Sequence, residues 1–254
     1  MNTQIINWQE ISEQQKTDAL ARPAIADNAL LSTQVANILS QVQKQGDKSL
    51  FALTEQFDGI ALTTLKVTAE QVQEAKLALT EKRLKAINTA YTQIKSFHSA
   101  QKFKDVFVET CPGVRCTLKT EAIESVGLYI PAGTAPLPST VLMLGVPAQI
   151  TGCDRTVLVC PPDKEGRLAN EILVAAELCG ITEIYTIGGA QAIAALAFGT
   201  ESIPAVNKVF GPGNRYVTEA KKQLSQQVAG FAIDIPAGPS EAVPNTHLPP
   251  PPKR

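Results

Sequence analysis

The chain has 254 residues, 23 Lys and Arg against 24 Asp and Glu, and a formal net charge of -1. That length leaves room for two modest domains, while the balanced charge supplies neither a basic field for a nucleic-acid backbone nor a polybasic patch for a membrane surface, so both are excluded as partners. The opening MNTQIINWQE lacks a cationic segment followed by an apolar one, and apolar runs such as VLMLGVPA fall well short of the ~20 residues that a membrane span needs; a soluble, cytoplasmic protein is expected.

In chain order, residues 1–27 read as an N-terminal helical arm and 28–124 as a helical region ending in a β-hairpin. Leu31, Val35, Ile38 and Val42 form a helix-period stripe over Leu30 to Gln45, and Gly46 follows as a C-terminal cap. A second helix, Lys48 to Phe57, should stop at Asp58-Gly59. Thr68 with Gln71 three residues on is a capping box opening a third. Ile87, Ala90, Tyr91, Ile94 and Phe97 mark the buried stripe of a longer fourth, and these helices read as scaffold. VFVET, the turn Cys111 to Gly113 and VRCTLK read as the hairpin.

From Ser125 the pattern changes. Four β-rich runs, each followed by a helical run, lead to a fifth: SVGLYI then Ser139 to Ile150, TVLVC then Leu168 to Leu178, EIYTI then Ala190 to Phe198, KVF then Asn214 to Val228, and FAIDI. Strands joined by helices of that length demand right-handed parallel crossovers. The fold class is therefore α/β, a Rossmann-like parallel sheet with helices on both faces, spanning 125–240 and preceded by the helical region and hairpin.

Ligands of open parallel sheets bind beyond the carboxyl ends of the strands, which directs attention to YIPAGTAPLPST, CPPDKEG, GGAQAI, GPGN and PAGPS. Glycine there lets backbone approach a ligand, and helix N-termini offer N–H groups to an anion. Ordinary turn chemistry accounts for any one such loop, but three glycine-rich loops along one edge point to a ligand. GPGNRYV has no third glycine, and no acidic residue follows a next strand as a clear ribose ligand, so spacing alone does not give the dinucleotide fingerprint.

The strings VGLYIPAGTAPLPSTVLMLGVPA, CGITEIYTIGGAQAIAALAFGTESIP, VFGPGNRYVTEAK and DIPAGPSE resemble segments of the histidinol dehydrogenase family, and the resemblance runs to Glu241. It implies oxidation of L-histidinol to L-histidine through the aldehyde, two NAD reduced in succession, zinc, and a homodimer. By motif, Tyr129, Gln191 and Asn214 resemble the family's NAD-contacting residues and Ser240 a substrate-contacting serine. Read from residue type alone, Tyr129 is equally core packing, Gln191 and Asn214 helix-start polar groups and Ser240 a turn residue.

The family's zinc ligands and its catalytic Glu-His pair, by the same resemblance, lie beyond Glu241 and have no counterpart here. Only His98 and His247 are present, read as a helix-surface and a tail histidine, so no catalytic or metal-ligating residue is assigned. Residues 241–254, with prolines at 244 and 249 to 252, read as a disordered tail. The expectation is a truncated, inactive histidinol dehydrogenase; the alternative is a dinucleotide-binding remnant without chemistry. A third reading, a thiol enzyme, would need a reactive cysteine. The five cysteines include no C-x-x-C pair and suit a reducing compartment; most read as small core residues, Cys153 and Cys160 among them.

Overall fold

The computed structural model describes residues 7–20, 29–131 and 135–234. Ser240, His247 and the proline-rich segment lie outside the described residues.

Near the N-terminus, helix α1 (Glu13–Leu20) is opened by a reciprocal pair, the Ser12 hydroxyl accepting from the Gln15 N–H at 3.2 Å while the Gln15 side chain accepts from the Ser12 N–H at 2.9 Å. Residues 29–236 form a separate compact unit. It starts with α2 (Ala29–Gln45), α3 (Asp47–Asp58), α4 (Ala69–Ala78) and α5 (Glu81–Ser99). Next come the antiparallel strands β1 (Val106–Cys111) and β2 (Val114–Leu118), then β3 (Ser125–Tyr129), α6 (Pro138–Thr151), β4 (Arg155–Cys160) and α7 (Asn170–Leu178). The unit closes with β5 (Glu183–Thr186), α8 (Gly189–Phe198), β6 (Lys208–Phe210), α9 (Arg215–Gln227) and β7 (Ala232–Ile233).

The last five strands form one parallel sheet in the order β5-β4-β3-β6-β7. Period-two alternation sends Tyr129, Val157, Val159, Tyr185 and Val209 to one face with α2, α3, α8 and α9, and Val126, Leu128, Leu158, Cys160 and Ile184 to the other with α4 to α7. Both faces are thus covered, as the four alternations require. The Thr68–Gln71 capping box is present. An antiparallel bridge at Lys66 to Tyr185, flanked by bonds from Val67 N–H to Ile184 O and Thr186 N–H to Leu65 O, covers the outer edge of β5; LTTLKV carries too short a pattern to predict it.

Helix α8 is buried from Ala190 through Ala197. Its run of alanines lets α2 and α9 pack close to it over the sheet. Helix α3 starts at Gly46, which has no side chain to cap it, and borrows Glu201 from a distant loop: its carboxylate accepts from the Asp47 N–H at 2.7 Å.

Three sequence expectations are corrected. Phe97 is 65 % exposed, because the inner line of α5 runs through Ile87, Tyr91, Ile94 and His98, bringing His98 rather than Phe97 inward. Only Cys160 and Cys179 are buried; Cys153 is half-buried, and Cys111 and Cys116 are exposed because the hairpin pairs only with itself. Finally, the early helices are more than scaffold, since two of them supply a wall of the site.

Candidate functional site

The sheet changes winding direction between β3 and β6: from β3 the chain goes to β4 and β5 on one side, then crosses back to β6 and β7 on the other. Such a switch point opens a crevice at the carboxyl ends of the strands. A cavity of about 880 Å³ lies there, within the size range of small-molecule and cofactor sites. Tyr129 from the end of β3, Pro161 to Lys164 after β4, Gly189 to Gln191 at the start of α8, and Asn214 with Tyr216 at the start of α9 form its floor and one side.

The cavity brings Tyr129, Gln191 and Asn214 together, three residues far apart in sequence. The Tyr129 hydroxyl accepts a 3.2 Å hydrogen bond from the Gly189 N–H. Burial pushes its pKa up to about 12, against a smaller lowering by that bond, so the hydroxyl keeps its proton at neutral pH. Gln191 is buried, and its Oε1 sits where a side chain on Gly189 would go, 2.5 Å from a Cβ there; with φ at +67°, residue 189 is held to glycine by both backbone and space. Asn214 caps α9, its Oδ1 accepting from the N–H groups of Tyr216 at 2.9 Å and Val217 at 3.1 Å, which leaves its amide donors for the cavity. Core packing for Tyr129 and capping for Asn214, the plainer alternatives, are therefore real roles, held together with a place in the cavity wall.

Gly188 at the N-cap of α8 offers no side-chain acceptor, so among the described residues the first-turn N–H groups beyond Gly189 have no side-chain cap, and Gly189 and Ala190 line the cavity. A helix start of this kind suits an anion. The opposite wall comes from Gln34, Asn37 and Gln41 of α2 and from Phe57 and Asp58 at the end of α3. Asp58 remains open to solvent, yet the surrounding walls crowd it enough to raise its carboxyl pKa. Sequence reasoning passed over this wall. Its signal was a polar stripe at 34, 37 and 41, one residue off the apolar stripe at 35, 38 and 42.

Asp163, also in the cavity wall, follows the strand next to β3, where ribose-binding acids of parallel sheets sit; its Oδ1 accepts from the N–H groups of Glu165 at 2.8 Å and Arg167 at 2.9 Å, which shapes its own loop. The thiol of Cys160, at the end of β4, is pushed up to about 12 by burial and is no nucleophile at neutral pH. Among the described residues no group of three or more His, Cys, Asp or Glu side chains is arranged to hold a metal ion.

A model of the histidinol dehydrogenase family matches residues 21–244. The chain belongs to that family. It is 82 % identical to histidinol dehydrogenase of Colwellia psychrerythraea, over 96 % of this chain and 56 % of that one. To the Vibrio vulnificus enzyme it is 52 % identical, over 93 % and 54 % respectively. The crystal structure of histidinol dehydrogenase from Elizabethkingia anophelis superposes with a TM-score of 0.84 at 40 % identity, covering 91 % of this chain and 52 % of the other. The chain thus spans about half the length of the curated relatives it matches.

Proposed function

We propose that residues 29–234, together with Ser240 in the segment after β7, are the NAD-holding portion of a histidinol dehydrogenase, cytoplasmic and homodimeric, that oxidises L-histidinol to L-histidine. The observation that carries the reading is the convergence of Tyr129, Gln191, Asn214 and the open start of α8 on one cavity at the switch point of the sheet. These groups suit a dinucleotide: N–H donors at a helix start for the pyrophosphate, a protonated tyrosine hydroxyl, the Gln191 amide, and the amide donors of Asn214. When bound, NAD supplies the hydride acceptor. Tyr129, Gln191 and Asn214 orient it, and the α2 wall shields one side of it from water.

The described residues offer no ligand group that fits zinc. No helix among them is long and apolar enough to cross a membrane. Ser240, outside the described residues, is assigned to the substrate by the resemblance of AGPSE to the family's substrate-contacting segment.

Isothermal calorimetry of the 254-residue chain should show NAD binding in the millimolar range. No heat at millimolar NAD would remove this reading. Removal of a hydroxyl proton from an alcohol needs a base, and among the described cavity residues none is histidine while Tyr129 holds its own proton. The isolated polypeptide is therefore expected to bind NAD without forming NADH from histidinol. Turnover would transfer the base role to Asp58, the cavity carboxyl whose pKa is raised.

A further inference from the structure

Helix α9 buries the stripe Val217, Ala220, Lys221 and Leu224, in which a lysine stands where an apolar residue would pack. A buried ammonium is costly unless fully paired. Lys221 donates to the carbonyl of Gly211 at 2.5 Å and to Asp234 Oδ1 at 2.7 Å. Asp234, directly after β7, accepts from the Gly211 N–H through its other oxygen at 2.8 Å, and its own N–H donates to Val209 O at 3.1 Å. One ion pair thus holds both polar groups of Gly211, whose φ of +127° and contact with the backbone of Tyr129 leave no room for a side chain. Three strand ends, those of β3, β6 and β7, meet at this point, and Asn214 follows three residues later.

We propose that Lys221 and Asp234 are positioning residues for the cofactor: their pair sets the turn 211–214 and so presents Asn214 and the start of α9 to the cavity. The proposal rests on the NAD reading above. Stability alone gives little reason for the pair, since an apolar residue at 221 would complete the stripe and buried ion pairs are commonly replaced by apolar side chains without loss. Its hydrogen bonds run to Gly211, the glycine that opens the turn 211–214, and the benefit is local geometry.

The test compares Lys221→Met, Asp234→Asn and wild-type 254-residue chain by NAD calorimetry well below each protein's Tm, with amide hydrogen exchange over residues 205–220. Lys221→Met should weaken NAD about tenfold or more while exchange quickens at 211–214 and stays unchanged in β4; the near-isosteric Asp234→Asn should do the same to a smaller degree and serves alone if Lys221→Met does not fold. A purely structural role would lower Tm and leave the dissociation constant of the folded protein at the wild-type value, which would overturn the proposal. If wild type itself binds no NAD, the cofactor reading falls, and exchange decides the clamp: unchanged protection at 211–214 in both variants overturns it, and selective loss there sustains it.

Discussion

At the amino end of the parallel sheet, side chains brace each strand to the next. Ser125 and Asn207 exchange hydrogen bonds at the entries of β3 and β6, the Ser125 N–H donating to Asn207 Oδ1 at 3.1 Å and the Asn207 N–H donating to Ser125 Oγ at 3.1 Å. Arg155, opening β4, donates to Ala205 O at 2.6 Å and forms an ion pair with Glu183 at the start of β5. At the carboxyl end the same strands open into a cavity with a helix start that carries no side-chain cap and a crowded carboxylate, beside the turn that the Lys221–Asp234 pair holds. Polar groups at the first end are spent on one another and fix the sheet, with Arg155 Nε reaching Glu183 only as a 3.5 Å ion pair and making no hydrogen bond. At the second they are held in place with capacity left over, as a ligand site requires.

The sharpest way to break this contrast is Gly211→Ala. A Cβ at 211 would run into the backbone of Tyr129, which cannot swing aside as a side-chain tip can. Backbone strain and overpacking of that kind each cost roughly 1–3 kcal/mol, so urea unfolding should show a loss of about 2–6 kcal/mol with NAD binding abolished. A loss below about 1 kcal/mol would mean that the switch point is plastic.

Alkaline pH should act on the carboxyl end through Cys160 and Tyr129, and on the far end of α7 through Cys179, whose thiol burial also pushes up to about 12. The Cys160 thiol ionises near its ordinary 9.0 when unfolded and is held up to about 12 by burial when folded. Between those values the folded state binds more protons, so stability is full below about pH 9 and falls as pH rises. At about 1.4 kcal/mol per unit of pH, Cys160 accounts for about 2 kcal/mol of loss at pH 10.5. Tyr129, also raised to about 12, adds to the fall above its ordinary 10.0. Urea midpoints at pH 7 and 10.5 should differ less in Cys160→Ala than in wild type; equal pH sensitivity would locate the titrating groups elsewhere.

How far the sequence reveals each end follows from how local its causes are. Strand and helix order, both covered faces and the Thr68 capping box are written in short-range periodicity and were readable. Tyr129, Gln191 and Asn214 were readable as post-strand residues because topology sends every such loop to one edge. The α2 wall was not, since a polar stripe on an amphipathic helix looks like a solvated face until another element is seen to lie across from it. Nor was the Lys221–Asp234 pair, whose partners are 13 residues apart on different elements. The hairpin shows the converse: Val106, Phe107 and Val108 have strand-like apolar character, but burial depends on what covers a strand, and all three are exposed.

The finest test of the contrast sets one asparagine against another. Asn207 braces the amino end by bonding Ser125, and Asn214 caps α9 at the carboxyl end through two backbone N–H groups. Replacing either with alanine removes polar partners of similar worth, so each variant should lose about 1–2 kcal/mol in urea unfolding. Their ligand behaviour should separate. Asn207 lies at the far end of β6 from the cavity, and Asn207→Ala should bind NAD with the wild-type constant when measured well below its Tm. Asn214 is in the cavity wall, and Asn214→Ala loses both its amide donors and the cap that fixes the start of α9. A neutral hydrogen bond contributes about 0.5–1.5 kcal/mol, so NAD binding should weaken about tenfold. Equal weakening in both variants would show that affinity follows global stability, and the division of the sheet into a braced end and a binding end would fall.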